Sequence, residues 1–245
     1  MRLADHFTRS GDLLFRWRGY LPLSMLPLFA IGLLDARLPQ PVPASVRLLQ
    51  VLAVAVALAG LAVRVLAIGT AAEGTSERST VNPRASRLRT TGLYSLVRHP
   101  LYAGNTITAV GLAAFTTRWY LPLIVLLLGL LYHERIAARE EAFLEERFGD
   151  EFRAWAERVP AMIPVPARFQ ASDVPFGWRR PLGSEFHGLM TIASVVFALD
   201  LFRSWIATGG VVFDPLWTWF FVLSAAIFLA CTVLKKTTGV FRQRG

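Results

Sequence analysis

VRLLQVLAVAVALAGLAVRVL, residues 46–66, carries one arginine near each end and no charge between them. As a helix rising 1.5 Å per residue it would be about 30 Å long, the thickness of a bilayer's hydrocarbon core. The apolar residues elsewhere, part of a 54% hydrophobic chain of 245 residues, also come in blocks rather than at the spacing of a half-buried helix or strand. Residues 189–201 with their flanks, and residues 216–234, repeat the pattern. Residues 20–34 (YLPLSMLPLFAIGLL) are shorter and hold two prolines, which a membrane helix tolerates when neighbouring groups satisfy the freed backbone. Residues 101–132 are too many for one span and are interrupted at TTRW, 116–119, which predicts two short helices in a hairpin. The expected fold is an all-α, polytopic integral membrane protein of about six spans, including a short helical hairpin.

The formal charge of +9 would suit a nucleic-acid partner only if basic and aromatic residues were interleaved on a soluble face. The basic residues instead follow the spans. With six spans and the N-terminus in the cytoplasm, all of the 26 Lys and Arg residues except Arg37, Arg47, Arg118 and Arg203 fall on the cytoplasmic side. This is the positive-inside bias. It predicts a multi-pass protein of the cytoplasmic (inner) membrane with both termini in the cytoplasm, a basic surface facing anionic headgroups, and no nucleic-acid partner. No cleavable signal is expected, because Asp5 and Asp12 precede the first apolar run and no small-residue cleavage site follows it. Cys231 is the one cysteine, which excludes intramolecular disulfides and multi-cysteine metal sites. The histidines, His6, His99, His133 and His187, are too scattered to predict a metal. GTAAEGTS (69–76) has the glycine spacing of a phosphate loop but Thr75 where the lysine should stand, and neither HExxH nor GxSxG occurs.

Water-soluble chemistry is thereby confined to the segments 70–99 and 133–186 beside the membrane surface. In 133–149 (HERIAAREEAFLEERFG), Ile136, Ala137, Phe143, Leu144 and Phe148 share one helical face. Glu140 projects about 20° from the centre of that face and Glu141 lies nearer its edge, whereas Glu145, Glu146 and Arg139 point away. A carboxylate on an apolar face requires a cation or several donors. The second cluster is TGLYSLVRHPLYAGN, 91–105. Gly92 can take an unusual backbone angle, and Pro100 turns His99 away from helix while itself suiting the first helical position. Arg98 and His99 therefore precede a helix N-terminus, which favours an anion, and Tyr102 and Asn105 share a side of its first turn. Standing alone, Arg98 would be read as a headgroup anchor.

Together these residues resemble the isoprenylcysteine carboxyl methyltransferase family. Gly92, Tyr94, Arg98, His99, Pro100, Tyr102 and Gly104 match its first motif. Glu140, Glu141, Leu144, Phe148, Gly149, Phe152 and Trp155 match the second, and Val159, Pro160, Ile163 and Pro164 the third. The likeness covers about residues 60–166. It implies an integral membrane methyltransferase that uses S-adenosylmethionine in a pocket closed by the hairpin and the following cytoplasmic helices, with N-terminal spans over 1–70, a methyltransferase core over 71–166, and a linker with a C-terminal pair of spans over 167–245; the alanine, leucine and arginine content points to a bacterial source. By the match, Tyr94, His99, Pro100, Tyr102, Asn105, Glu140 and Glu141 bind the cofactor, and Arg98 and Glu140 stand at the reacting groups. Arg98, Arg179, Arg180 and His187, with Glu185, are the candidates for the substrate headgroup.

Methyl transfer from a sulfonium needs alignment and exclusion of water. A phosphate or carboxylate oxygen needs no base, whereas an amine would lose a proton to Glu140 or His99. The arginine surplus favours a membrane-embedded, lipid-like acceptor methylated on phosphate or carboxylate oxygen. Phospholipid N-methylation, small-thiol S-methylation, and a non-catalytic lipid-binding or transport role are the alternatives. The sequence gives no oligomeric state.

Overall fold

In the computed structural model, residues 24–70 and 87–238 are described, together with Leu14. Among them are seven α-helices: α1 (Leu26–Ala36), α2 (Ala44–Gly69), α3 (Pro100–Ala114), α4 (Tyr120–Phe148), α5 (Asp150–Arg158), α6 (Arg179–Thr208) and α7 (Pro215–Thr237). Helices α2, α4, α6 and α7 are long and apolar enough to cross a membrane, and α1 is a shorter apolar helix. With the 15-residue α3 they account for the six apolar blocks of the sequence. The start of the first block, residues 20–23, lies outside the described residues, as do residues 71–86 of the first polar segment.

The lipid-facing character of α2 follows from which residues it hides. Ala53, Ala57 and Gly60 are buried, while Leu48, Leu49, Leu52 and Val56 are exposed. A water-soluble helix does the reverse. Small residues inside and large apolar residues outside are what a helix needs when hydrocarbon is its solvent and close backbone approach holds its neighbours. The approach here is extreme. A Cβ added at Gly60 would stand 2.5 Å from the Gly104 carbonyl oxygen and from the Thr108 nitrogen, and one added at Gly111 would stand 2.4 Å from the Ala57 nitrogen. Thr108 seals the contact by donating its hydroxyl to the Ala57 carbonyl at 3.1 Å.

The hairpin breaks where TTRW predicts. Helix α3 ends at Ala114, Thr117 takes a positive φ of 65°, and α4 begins at Tyr120. The second of the two short helices expected over 101–132 is instead long: it runs on through the amphipathic segment 133–149 as far as Phe148, as one continuous helix. Nothing between Tyr132 and Glu140 breaks it, since no Gly or Pro occurs there. Gly149, at φ 53°, then turns the chain into α5.

The antiparallel helices leave two polar ends. At one, Arg203 and Asp200 are paired at 2.8 Å and fully buried, Arg203 also donates to Gln40 at 2.6 Å, and Arg47 pairs with Asp214. Buried ions are held only when paired in this way. At the other end, α5 lays Phe152 and Trp155 against Leu88, Val159, Tyr94, Leu144 and Phe148. This small apolar cluster fastens the segment after α5 onto residues 92–98. The Arg98 amide donates to Pro160 O, the Val165 amide to Leu96 O and the Gly92 amide to Gln170 O, at 2.9–3.1 Å.

Candidate functional site

The two polar clusters, some forty residues apart in sequence, meet at this second end. Pro100 occupies the first turn of α3 and His99 precedes it in a non-helical conformation, as the proline rule requires. Gly92 has φ 63°, the left-handed region glycine enters without strain. It starts the tight turn that places Tyr94 and Ser95 beneath the α5 cluster.

The ring of His99, 7% exposed, lies between two carboxylates. Its Nε2 is 2.9 Å from Glu141 Oε1 and its Nδ1 is 3.6 Å from Glu140 Oε2. Tyr102 donates its hydroxyl to Glu140 Oε1 at 2.6 Å, and the Arg98 Nε stands 3.1 Å from Glu141 Oε1. Arg98 also reaches the Ala156 carbonyl at 3.3 Å, so it straps the hairpin to α5. The rings of His99, Tyr102 and His133 stack in series, with centroids 5.5 and 5.0 Å apart. Thr106 bridges His133 Nδ1, at 3.0 Å, to the Tyr102 carbonyl.

A neutral imidazole has one donor and one acceptor. With Glu141 hydrogen-bonded at Nε2 and the Glu140 carboxylate near Nδ1, both neighbours favour the protonated ring. Burial opposes that charge, but the hydrogen bonds and charges of Glu140 and Glu141 outweigh it and raise the His99 pKa above 6.5. A raised folded-state value stabilises the fold fully below the unfolded value near 6.5, and the contribution is lost as pH rises through the folded value. The apparent midpoint of heat unfolding in detergent is therefore expected to fall as pH is raised from 6 to 9, and the His99→Gln variant to lose that part of the slope. An identical slope in the variant would show that another group titrates. Tyr94 sits deeper. Burial raises its phenol pKa and Arg89 opposes the shift, donating to its hydroxyl at 3.2 Å and lying over its ring at 5.3 Å. The Trp155 indole donates to the Tyr94 carbonyl at 3.3 Å.

Asn105 leans towards α2 instead, where Arg64 donates to its Oδ1 at 2.6 Å and grips Glu185 of α6 with two bonds, at 2.7 and 2.8 Å. The remaining candidates lie at the start of α6. Arg179 is exposed, Arg180 is half-buried, and the exposed His187 packs its ring on Phe186 and Phe228. Glu185, among them, is 4% exposed and turns inward. Sequence reasoning gave no site role to Arg64 or His133. Arg64 resembled an end-of-span anchor, yet a lone cation in an apolar helix requires a partner, and that requirement was the available signal. His133 had none, because only the fold stacks it on Tyr102.

Among the described residues no group of three or more His, Cys, Asp or Glu side chains could hold a metal ion. The chain is a multi-pass membrane protein with a half-buried site of carboxylates and stacked aromatic rings at one end of its bundle.

The model of the phospholipid methyltransferase family matches residues 49–151, the stretch that carries α3, α4 and both carboxylates. Over 132 residues the chain is 34% identical to the nickel-cobalt-cadmium resistance protein NccN of Alcaligenes xylosoxydans xylosoxydans, covering 51% of this chain and 61% of that protein. It is 38% identical over 77 residues to the cobalt-zinc-cadmium resistance protein CzcN of Cupriavidus metallidurans, which is 31% of this chain and 35% of that one. It is 37% identical over 79 residues to the protein-S-isoprenylcysteine O-methyltransferase of Schizosaccharomyces pombe, 32% of this chain and 33% of the yeast protein. The chain thus spans between a third and about three fifths of the relatives it matches. The family match and the yeast relative bear out the resemblance carried by the motifs. No solved structure matches the chain.

Proposed function

We propose that the protein is an S-adenosylmethionine-dependent methyltransferase acting on an ionised oxygen, phosphate or carboxylate, of a membrane-embedded lipid-like acceptor. The observation that carries this reading is the His99 ring held between Glu140 and Glu141 at the foot of the apolar hairpin. S-adenosylmethionine supplies a methyl group on a cationic sulfur. The donor set suits such a ligand: the Glu140 and Glu141 carboxylates can take its hydroxyl and amino groups and offset its positive charge, and the stacked His99, Tyr102 and His133 rings hold Glu140 in place beside them.

The acceptor class follows from proton accounting. His99 faces a carboxylate at each nitrogen, and one Glu140 oxygen already accepts the Tyr102 hydroxyl. A group so engaged is a poor general base. An acceptor that arrives deprotonated needs none, which favours an oxyanion over an ammonium headgroup. The match to the phospholipid methyltransferase family keeps phospholipid N-methylation as the second reading. With the basic end of the bundle in the cytoplasm of the inner membrane, as the positive-inside bias directs, donor and site lie on the same side.

Purified protein incubated with methyl-labelled S-adenosylmethionine and total lipid extract is expected to label one lipid on a headgroup oxygen, as a base-labile methyl ester of a carboxylate or a base-stable methyl ester of a phosphate, told apart by fragmentation of the labelled lipid. Label that survives base on an amine headgroup would replace the oxygen assignment with nitrogen. No labelled lipid, together with no heat on titration with S-adenosylhomocysteine, would leave a non-catalytic membrane protein.

A further inference from the structure

The ion pair between Arg64 and Glu185 joins α2 to α6, and α6 lies beyond the family-matched residues 49–151. The pair is two-pronged: Nε meets Oε2 at 2.7 Å and Nη2 meets Oε1 at 2.8 Å. This fork geometry fixes the guanidinium plane. The third nitrogen, Nη1, donates to Asn105 Oδ1 at 2.6 Å. A guanidinium has no acceptor. Asn105 must therefore present its oxygen to Arg64, which turns the amide NH2 away from it. Asn105 is three residues on from Tyr102 along α3, on the same side of the helix as the ring that holds Glu140. Room for Arg64 at this place depends on Gly104, where an added Cβ would stand 2.7 Å from Arg64 Cγ.

We propose that Glu185 is a positioning residue for the site: by locking Arg64 it sets the Asn105 amide with its NH2 as the donor offered to the bound ligand. The C-terminal helix pair then serves the chemistry rather than merely adding spans. Asn105 and Glu185 share one device, and the effects of changing them are not independent. This inference rests on the proposed methyltransferase reading, and the experiment separates the two.

S-adenosylhomocysteine is titrated calorimetrically into detergent-purified wild type, Glu185→Gln, Asn105→Asp and the double variant. Asn105→Asp keeps an oxygen for Arg64 but replaces the NH2 donor with an acceptor. It is expected to lose about tenfold in affinity, the size of one hydrogen bond to a ligand, without a lower unfolding midpoint. Glu185→Gln is expected to lose a similar factor, and the double variant to be no weaker than the poorer single one, because neighbours acting through one contact are non-additive. Multiplying losses in the double variant would overturn the inference, as would wild-type affinity in Asn105→Asp. If Glu185→Gln does not fold, Glu185→Asp, which retains the charge, is expected to recover most of the affinity; failure to do so would also overturn it. Absence of heat with the wild type would remove the methyltransferase reading, and this inference with it.

Discussion

Glu140→Ala is expected to abolish measurable binding of S-adenosylhomocysteine while leaving expression and helical content intact. The carboxylate accepts the Tyr102 hydroxyl at 2.6 Å and stands at the second nitrogen of His99. Its loss frees Tyr102 from its acceptor and leaves His99 one carboxylate instead of two. Two hydrogen bonds from the ligand to this carboxylate, at about 1.5 kcal/mol each, would correspond to roughly a hundredfold in affinity. The fold should survive, because the Glu140 side chain is 26% exposed and the neighbouring Ile136 and Ala137 continue to anchor α4 in the core. Glu146→Ala, on the exposed face of the same helix, serves as the control and should bind normally. Undiminished binding in Glu140→Ala would remove the residue from the site.

The other large effect concerns the seam that puts the site together. Gly60→Val is expected to lower the unfolding midpoint in detergent by about 10 °C, following overpacking costs of about 3 kcal/mol and the usual scaling for chains of this size. Flexible side chains could move aside, but the atoms facing Gly60 include the Gly104 carbonyl and the Thr108 backbone nitrogen. Helix α3 would have to withdraw from α2, taking Asn105 away from Arg64. Gly129→Ala is the matched control, since its Cβ would meet only Thr106 side-chain atoms at 3.4 Å and beyond. Equal midpoints for the two variants would mean that α2 and α3 are not in backbone contact.

Much of this arrangement was legible beforehand, for identifiable reasons. Apolar blocks longer than a soluble helix needs announce spans, and TTRW announced the hairpin's turn because a charge and polar residues interrupt it. Pro100 and Gly92 fixed their own backbone angles, so the placement of His99 before a helix and of a tight turn before Tyr94 followed from local sterics. Glu140 was visible as a misfit, a carboxylate on an apolar face. Where the reading fell short, the cause was length or distance. Residues 133–148 looked like a new element because their polarity changes at His133, yet polarity does not end a helix, and α4 runs through. Arg179, Arg180 and His187 were chosen for charge near a span, whereas the inward-facing member of that group is Glu185.

The sequence by itself determined the all-helical membrane class, the turns and the two polar motifs, because hydrocarbon length, proline and glycine act within a few residues. Only the tertiary structure decided that His99 lies between Glu140 and Glu141, that Tyr102 stacks on His133, and that Arg64 couples Asn105 to Glu185 across three helices. Those contacts depend on how closely α2 and α3 approach and how α4 and α6 pack beside them. No span of sequence encodes that on its own, since the small residues that permit it look, one helix at a time, like ordinary alanines and glycines.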